Sequence, residues 1–371
     1  MELFLLIIFY FFISIVLIQT VYYLFIFGKF SFGKNEKNAP KHIPVSVIVC
    51  AKNEEKNIKK NLPLLIKQNY QNFEIVVIDD ASSDDTRDLI EEYQAKYPTL
   101  IKLVKVENNE AFWGNKKFAL TLGIKAASKE YLLLTDADCY PSSENWIAEM
   151  TSHFTLHKTF VLGYGAYEKE PGFLNKLIRF ETLLTATQYF SWAKIGRPYM
   201  GVGRNLAYKK DEFFKVNGFI HHMKLRSGDD DLFINEAANG EKTTISTNPE
   251  GFTYSKAKES FGNWIMQKRR HVSTAKHYKV FDKFQLGLFF LSQFLFFILP
   301  IPLLALQYQW IIILALIAFR YLISWLSLGF SAGKLEEKDV MYWYPILEII
   351  LILTQINVFI KNIFSKPYTW K

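Results

Sequence analysis

Residues 3–27 form one apolar run, LFLLIIFYFFISIVLIQTVYYLFIF, that contains no charged side chain. A helix needs about 20 apolar residues to cross the roughly 30 Å hydrocarbon core of a bilayer. The run therefore predicts a transmembrane helix over residues 1–28. A cleaved signal peptide is the alternative, but no Lys or Arg precedes the run and no small-residue cleavage site follows it.

Three more apolar stretches lie near the other end of the sequence, at 285–307, 310–330 and 341–360. They predict a C-terminal membrane region of two or three helices over residues 285–364, and for the last stretch a helix lying in the interface is the alternative. The second and third stretches contain Arg320 and Glu348. Because a lone charge in hydrocarbon is costly, we expect these two side chains to face each other or a bundle interior.

Basic residues cluster beside these runs. Those that follow the first run are Lys29, Lys34, Lys37 and Lys41. Those that precede the second are Lys268, Arg269, Arg270, Lys276, Lys279 and Lys283. Lys and Arg concentrate on the cytoplasmic side of membrane helices, so the sequence predicts a multi-pass protein of the cell membrane with a cytoplasmic middle domain. The net charge of +8 then needs no nucleic acid partner, and two cysteines are too few for a disulfide framework.

The middle domain, residues 40–280, alternates short apolar runs with amphipathic stretches. The strand-length runs are VSVIVC (45–50), EIVVID (74–79), IKLVKV (101–106) and EYLLLTD (130–136). Helical patterns separate them, and Ser82 or Ser83 is placed to cap the second helix. Strand and helix in alternation predict an α/β fold with a mostly parallel sheet. Residues 172–194 have a helical period and predict either a helix on the bilayer surface or a core helix.

Acidic residues stand where these strands end, and ligands bind at that edge of a parallel sheet. Asp136 and Asp138 follow the fourth run in the pattern D-x-D. In an extended chain both side chains point to one face, where a hard cation such as Mg²⁺ or Mn²⁺ relieves their repulsion and binds a diphosphate. A solvated turn or a helix cap is the alternative. A dinucleotide site is disfavoured because no G-x-G-x-x-G turn follows the first strand.

Five motifs, in order, resemble family 2 glycosyltransferases of the GT-A fold over roughly residues 44–275. They are PVSVIVCAKNEE, FEIVVIDDASSDDT, GNKKFALTLGIKAASKEYLLLTDADC, SGDDDLFI and QKRRH. The membrane helices resemble those of membrane-bound members such as ceramide glucosyltransferases and polysaccharide synthases. The resemblance implies a GT-A nucleotide-sugar-binding domain flanked by transmembrane helices.

The resemblance also implies roles for residues of the first three motifs. Those that line the nucleotide, the uracil ring and the diphosphate are Cys50, Lys52, Glu55, Asp80 and Lys116. Asp136 touches the ribose or the metal, and Asp138 ligates the metal directly. Helix capping is the alternative for Asp79 and Asp80, and an ordinary solvated charge is the alternative for Lys116.

The last two motifs carry the remaining roles. GDDDL matches the acidic motif that supplies the catalytic base, and Asp229 takes this role, with Asp230 and Asp231 left open. A solvated helix start is the alternative. Gln267, Arg270 and His271 resemble the Q-x-x-R-W signature that holds the donor diphosphate, although the positive-inside bias also explains cations here. His271 replaces the aromatic residue of processive synthases, which favours transfer of a single sugar.

Together these features predict a membrane-bound, metal-dependent, inverting glycosyltransferase of the cell envelope. It moves a sugar from a nucleotide donor, UDP-linked by preference, to a lipid or glycan acceptor. The alternatives are a sugar-nucleotide-forming transferase, a processive polysaccharide synthase, and a non-catalytic membrane partner or lipid translocator that retains a nucleotide-binding domain.

Overall fold

A computed structural model describes residues 2–34, 38–107, 116–225 and 227–365. Its strands in this part of the chain are β1 Val45–Ala51, β2 Phe73–Asp80, β3 Ile101–Val106, β4 Tyr131–Asp136, β5 Cys139–Pro141, β6 Phe160–Leu162, β7 Gly165–Tyr167, β8 Leu206–Lys209, β9 Thr243–Ile245 and β10 Thr253–Ser255. The main sheet has the order β3-β2-β1-β4-β8-β6-β9. Its first four strands are parallel and β8 is antiparallel to both neighbours. The predicted α/β fold with a mostly parallel sheet is confirmed.

Helices cover both faces of this sheet. The helices of the middle domain are α3 Glu55–Ile66, α4 Thr86–Lys96, α5 Lys116–Ala126, α6 Trp146–Ser152, α7 Phe173–Lys194, α8 Lys210–Lys215, α9 Asp231–Ala237 and α10 Phe261–Ala275. Strands β1, β2 and β4 are buried on both sides, which explains their unbroken apolar sequences. Helix α5 packs so closely on β2 that a Cβ atom at Gly123 would collide with the Ile78 side chain.

A second sheet of three strands, in the order β5-β10-β7, stands beside the main one. Strand β5 begins at Cys139, directly after Asp138. Strand β10 is antiparallel to β5 and parallel to β7. The small sheet therefore fixes the chain that leaves the D-x-D pattern.

Helix α7 is buried around most of its circumference, so it is a core helix and does not lie exposed on a bilayer. It contacts the main sheet through β9 and also contacts the membrane helices. Its Arg179 donates from Nε to Glu337 Oε2 at 2.8 Å and from Nη1 to Asp339 Oδ2 at 2.8 Å. This helix therefore joins the middle domain to the long apolar helices.

The remaining helices are α1 Glu2–Thr20, continued by a π-helical segment Val21–Ile26 and by α2 Gly28–Ser31, and then α11 Val280–Ile298, α12 Pro300–Ala305, α13 Trp310–Lys334 and α14 Tyr344–Phe364. A 3₁₀ segment, Lys338–Trp343, leads into α14. Among the described residues, four helical segments are long and apolar enough to cross a membrane: Glu2–Ser31, Val280–Ala305, Trp310–Lys334 and Lys338–Phe364. Helix α11 begins five residues before the predicted start of the membrane region at 285.

The two charges inside these helices face each other, as their cost in hydrocarbon leads one to expect. Arg320 donates from Nη2 to Glu348 Oε1 at 2.5 Å and from Nη1 to Glu348 Oε2 at 2.7 Å. The guanidinium also donates to Gln19 and to the hydroxyls of Tyr23 and Tyr344. Arg320 is fully buried and Glu348 is 1% exposed, so this pair links α1, α13 and α14 inside the bundle.

The pair makes a prediction about stability. Glu348→Leu leaves the Arg320 guanidinium buried without its counter-charge and should cost about 3–5 kcal/mol of unfolding free energy. The double variant Arg320→Met with Glu348→Leu removes both charges and should recover most of that loss. Thermal unfolding in detergent measures both, and a double variant that is no more stable than the single one would contradict the pairing.

Candidate active site

The polar residues that end β1, β2 and β4 meet at one edge of the main sheet. Cys50 of β1 lies opposite Asp136 of β4 and opposite Ile78 of β2 in the parallel register. Asp80 ends β2. The residues predicted from three separate motifs are therefore neighbours at the carboxyl ends of the strands.

Lys116, the first residue of α5, bridges two of these motifs. Its Nζ lies 2.7 Å from Asp136 Oδ1 and 2.9 Å from Asp229 Oδ2. Burial alone would lower the pKa of this amine, but the charges of Asp136 and Asp229 outweigh it and raise the pKa well above its usual value. Burial likewise opposes ionisation of Asp229, but Lys116 reverses the effect and lowers the pKa of that carboxyl. Asp229 is thus an ionised carboxylate beside the D-x-D pattern.

The three acids of GDDDL have different surroundings. Only Asp229, among the three, contacts Lys116 in the described structure. Asp230 accepts from the backbone N–H groups of Gly203 at 2.7 Å and Asp231 at 2.8 Å. Burial and then the two flanking carboxylates raise the pKa of Asp230 to about 7.

Asp231 turns away from the pocket toward α10. Its Oδ2 accepts from the Thr274 hydroxyl at 2.5 Å and from the Tyr278 hydroxyl at 2.7 Å. The geometry therefore favours Asp229 as the acid that meets a ligand, whereas Asp230 and Asp231 fix the start of α9.

Lys117, next to Lys116, holds the segment that leads into GDDDL. Its Nζ donates to the carbonyl oxygens of His222 at 2.7 Å, Leu225 at 3.2 Å and Ser227 at 2.7 Å. The side chain is 1% exposed, and burial lowers its pKa to about 8. The sequence motif carried no signal for this role, because a lysine in the first turn of a helix is usually solvated.

A group of candidate metal ligands lies at the end of β4. Asp136, Asp138 and Cys139 each offer one ligand atom, and these atoms lie within 4.8 Å of one another. Burial raises the pKa of the Cys139 thiol well above its ordinary value, so it stays protonated, and it donates to Asp138 Oδ1 at 3.4 Å. Two carboxylates and no thiolate fit Mg²⁺ or Mn²⁺, which prefer oxygen ligands and leave positions for substrate phosphates.

The nucleotide side of the pocket is formed by the loops after β1 and β2. Lys52 Nζ lies 3.6 Å from Asp80 Oδ2, and desolvation raises the pKa of Asp80 despite this neighbour. Glu55 begins α3 and is half-buried. Asn53 ties the two loops together, because its Oδ1 accepts from the backbone N–H of Ser83 at 2.8 Å.

Asp79, which precedes Asp80, has a structural partner. Arg87 donates to Asp79 Oδ2 from Nε at 2.8 Å, and the Asp79 side chain is fully buried. The backbone N–H of Ser82 donates to its other oxygen at 3.2 Å. Asp79 therefore holds the turn before α4 and pairs with Arg87, but it does not cap the helix, which begins at Thr86 after Asp85. Asp80 lies beside Lys52.

Helix α10 brings the QKRRH motif to the pocket. Burial lowers the pKa of Arg270, and the opposing charges that act on it are Asp229, Asp136 and Asp230. Arg270 therefore shares the electrostatic surroundings of the predicted base and of the D-x-D pattern. Gln267 is half-buried and His271 is exposed.

Arg204 is a further cation beside the D-x-D pattern. Its Nη1 donates to Ser255 Oγ at 2.8 Å, its Nη2 donates to the Gly165 carbonyl at 2.7 Å, and its guanidinium lies 4.3 Å from the centre of the Tyr167 ring. Its charge opposes the effects of desolvation and of Asp136, which raise the pKa of Asp138. The sequence offered a weak signal, the segment GVGRN before the strand-like LAY.

The family described as Glycosyl transferase family 2 matches residues 46–229. A probable glycosyltransferase of Bacillus subtilis, YdaM, is 27% identical over 322 residues, 77% of this chain and 73% of that protein. A poly-beta-1,6-N-acetyl-D-glucosamine synthase of Staphylococcus epidermidis is 33% identical over 126 residues, 33% of this chain and 29% of the synthase.

An uncharacterized glycosyltransferase of Haemophilus influenzae is 33% identical over 135 residues, and the match spans 40% of that protein. A mannosyltransferase of Pyrobaculum calidifontis, solved with GDP-Man and Mn²⁺, superposes with a TM-score of 0.57 at 17% identity, over 92% of this chain and 98% of that one. At this identity the superposition supports the fold, and it extends across both the catalytic domain and most of the helical region.

Lys117 makes a prediction about the segment before Gly228. Lys117→Met removes three hydrogen bonds from a charged donor to backbone carbonyls and should cost about 2–4 kcal/mol of unfolding free energy. The matched control is Lys125→Met, an exposed lysine at the other end of α5, which should stay within about 0.5 kcal/mol. Thermal unfolding and proteolysis near Ser227 measure the effect, and equal behaviour of the two variants would contradict it.

Proposed function

The chain belongs to glycosyl transferase family 2 through residues 46–229, and from this premise we propose that it transfers one sugar from a nucleotide donor to an acceptor hydroxyl with inversion at the anomeric carbon. The observation that carries the proposal is the Lys116 bridge between Asp136 and Asp229. One ammonium group in contact with both carboxylates means that the donor site and the proposed base face the same small volume.

The proposed reaction is a single displacement. The acceptor oxygen attacks the anomeric carbon as the bond from that carbon to the diphosphate oxygen breaks, and the hydroxyl proton passes to Asp229. Asp229 suits this role because its carboxyl is ionised and mostly buried, and because it shares Lys116 with Asp136 at the end of β4. A base placed at the attacking hydroxyl typically contributes about 10²–10⁴-fold to a rate.

The departing diphosphate carries negative charge that the pocket must stabilise. Lys116 contacts both Asp136 and Asp229, and the charges of these two carboxylates also act on Arg270, whose guanidinium offers planar paired donors to phosphate oxygens. Asp136 and Asp138 would hold a divalent cation. A bound cation would neutralise part of the negative charge of the diphosphate. Mg²⁺ and Mn²⁺ both fit two carboxylates.

The nucleotide is assigned to the loops after β1 and β2. Lys52 and Asp80 lie together there, and Cys50 and Glu55 flank them. We assign Asp80 the role of accepting from the ring N–H of a uracil, which favours a UDP-linked donor. No nucleic acid is required by any of these contacts.

The four long apolar helices support a reaction at a bilayer. The basic residues at the domain ends of the helices favour a catalytic domain on the cytoplasmic side of the cell membrane. The acceptor is a lipid or a glycan of the cell envelope. The exposed His271, where processive synthases have an aromatic residue, favours one transfer per acceptor over polymerisation.

The metal makes the first functional prediction. Asp138→Ala removes one of the two proposed carboxylate ligands, and it should lower transfer by at least about 100-fold, as should EDTA. UDP release from a panel of UDP-sugars in native membranes measures it, with Mn²⁺ added back after EDTA. Full activity in Asp138→Ala, or no effect of EDTA, would overturn the role of the cation. No turnover with any donor would favour the lipid translocator.

The three acids of GDDDL lead to a second functional prediction. Asp229→Asn should abolish transfer while donor binding persists, because the amide cannot accept the proton. Asp231→Asn is the matched control, since its side chain bonds to Thr274 and Tyr278 outside the pocket. That variant should lose thermal stability and keep measurable transfer. The reverse pattern would assign the base to Asp231.

A further inference from the structure

The turn between β4 and β5 carries both proposed metal ligands. Asp136 is the last residue of β4, and Asp138 stands directly before Cys139, the first residue of β5. Strand β4 belongs to the main sheet, whereas β5 belongs to the small sheet. The spacing of the two carboxylates therefore depends on how firmly the two sheets are joined at this turn.

Arg204 lies at this junction, in the loop before β8. Because β8 is antiparallel to β4, the residues before β8 lie at the end of β4 where Asp136 stands. The carbonyl oxygen of Arg204 accepts from the hydroxyl of Thr135 at 3.0 Å and from the hydroxyl of Thr253 at 2.9 Å. Thr135 is the residue before Asp136, and Thr253 begins β10 of the small sheet. One peptide oxygen thus joins the two sheets beside the first ligand.

The side chain of Arg204 continues onto the small sheet. Its Nη1 donates to Ser255 Oγ at 2.8 Å, its Nη2 donates to the Gly165 carbonyl at 2.7 Å, and its guanidinium lies 4.3 Å from the centre of the Tyr167 ring. In the small sheet Ser255 pairs with Cys139 on one side and with Tyr167 on the other. The guanidinium therefore holds the row of residues that starts at Cys139, directly after the second ligand.

The loop that carries Arg204 is anchored by the fold itself. The next residue, Asn205, is fully buried, and its Nδ2 donates to the carbonyls of Tyr164 at 3.0 Å and Gly251 at 2.7 Å. Trp146 Nε1 donates to the Oδ1 atom of Asn205 at 3.1 Å. Because these bonds fix the backbone next to Arg204, its position does not depend on a bound donor.

On these grounds we infer that Arg204 is a positioning residue for the metal, which braces the D-x-D turn at both ends and sets the distance between the carboxylates of Asp136 and Asp138. The inference rests on the proposed metal-dependent transfer and adds to it a residue outside the five sequence motifs. The Arg204 charge acts in the same sense, because it opposes the rise that burial and Asp136 cause in the pKa of Asp138. Groups that orient metal ligands from behind typically contribute about 10–100-fold to metal affinity.

The affinity for Mn²⁺ tests the brace directly. The full chain is purified in detergent, UDP is added at a saturating concentration, and unbound Mn²⁺ is measured by electron paramagnetic resonance. Arg204→Met removes the donors and the charge and should weaken Mn²⁺ binding by about 10–100-fold. Arg204→Lys keeps a charge without the planar paired donors and should lose nearly as much. Unchanged affinity in Arg204→Met, or full affinity in Arg204→Lys, would overturn the inference.

A smaller substitution tests the contact to the small sheet while the arginine stays in place. Ser255→Ala deletes the hydroxyl that accepts from Arg204 and should weaken Mn²⁺ binding by about threefold to tenfold, the worth of one hydrogen bond. Ser246→Ala is the matched control, because Ser246 is equally buried and its hydroxyl has no partner in the described part of the chain. The control should keep the wild-type affinity, and an equal loss in the two serine variants would contradict the brace.

Lost stability is separated from lost positioning by a variant in the apolar helices. Glu348→Leu unpairs Arg320 and should lower stability without touching the D-x-D turn, so its Mn²⁺ affinity should equal that of the wild type. Thermal unfolding without Mn²⁺ is recorded for every variant. A fall in Mn²⁺ affinity in Glu348→Leu as large as that in Arg204→Met would show that affinity follows stability alone, against the inference.

UDP release from the donor panel, measured on the same samples, separates failure of this inference from failure of the proposed function. A wild-type protein that binds Mn²⁺ but turns over no donor would contradict the proposed transfer, and the Arg204 variants would still decide the brace. A wild-type protein that binds no Mn²⁺ would leave no site for Arg204 to hold and would overturn the inference.

Discussion

The pocket depends on one ammonium group placed among carboxylates. Asp136 and Asp229 come from distant parts of the sequence, and both are at least half-buried, so their mutual repulsion would oppose folding without a cation between them. Lys116 Nζ lies within 3 Å of an oxygen of each. The same contact keeps Asp229 ionised, so the interaction that permits the fold also prepares the proposed base.

The position of Lys116 follows in turn from core packing. Helix α5 starts at this residue and is seated on β2 at Gly123, where any side chain would collide with Ile78. The next residue, Lys117, holds the backbone on the far side of the pocket through three carbonyl oxygens. The first two residues of α5 therefore set the distance between the sheet edge and GDDDL. The geometry of the site depends on how firmly α5 is packed on β2.

The sequence predicted the parts of this arrangement that local patterns determine. The four apolar runs appear as strands within about one residue of their predicted ends, because burial on both faces demands unbroken apolar sequence. The side-chain directions of Asp229, Asp230 and Asp231 were not predictable, because their partners are distant in the sequence. These partners lie on α5, in the loop before β8, and at the end of α10. Ser82 and Ser83 show the same limit: α4 begins only at Thr86, and Ser83 bonds instead to Asn53.

Helix α10 connects the candidate active site to the membrane helices. Residues spaced by one position on a helix point about 100° apart, so consecutive side chains face different neighbours. Lys268 contacts α7, Arg269 contacts the end of α14, and Arg270 enters the field of the catalytic acids. The positive-inside rule would treat these three cations as one basic surface. In the structure each of them has a different partner. The end of α14 contacts Arg269, which is next to Arg270 on α10. A shift of α14 in the bilayer would therefore act on Arg270 through this turn of α10.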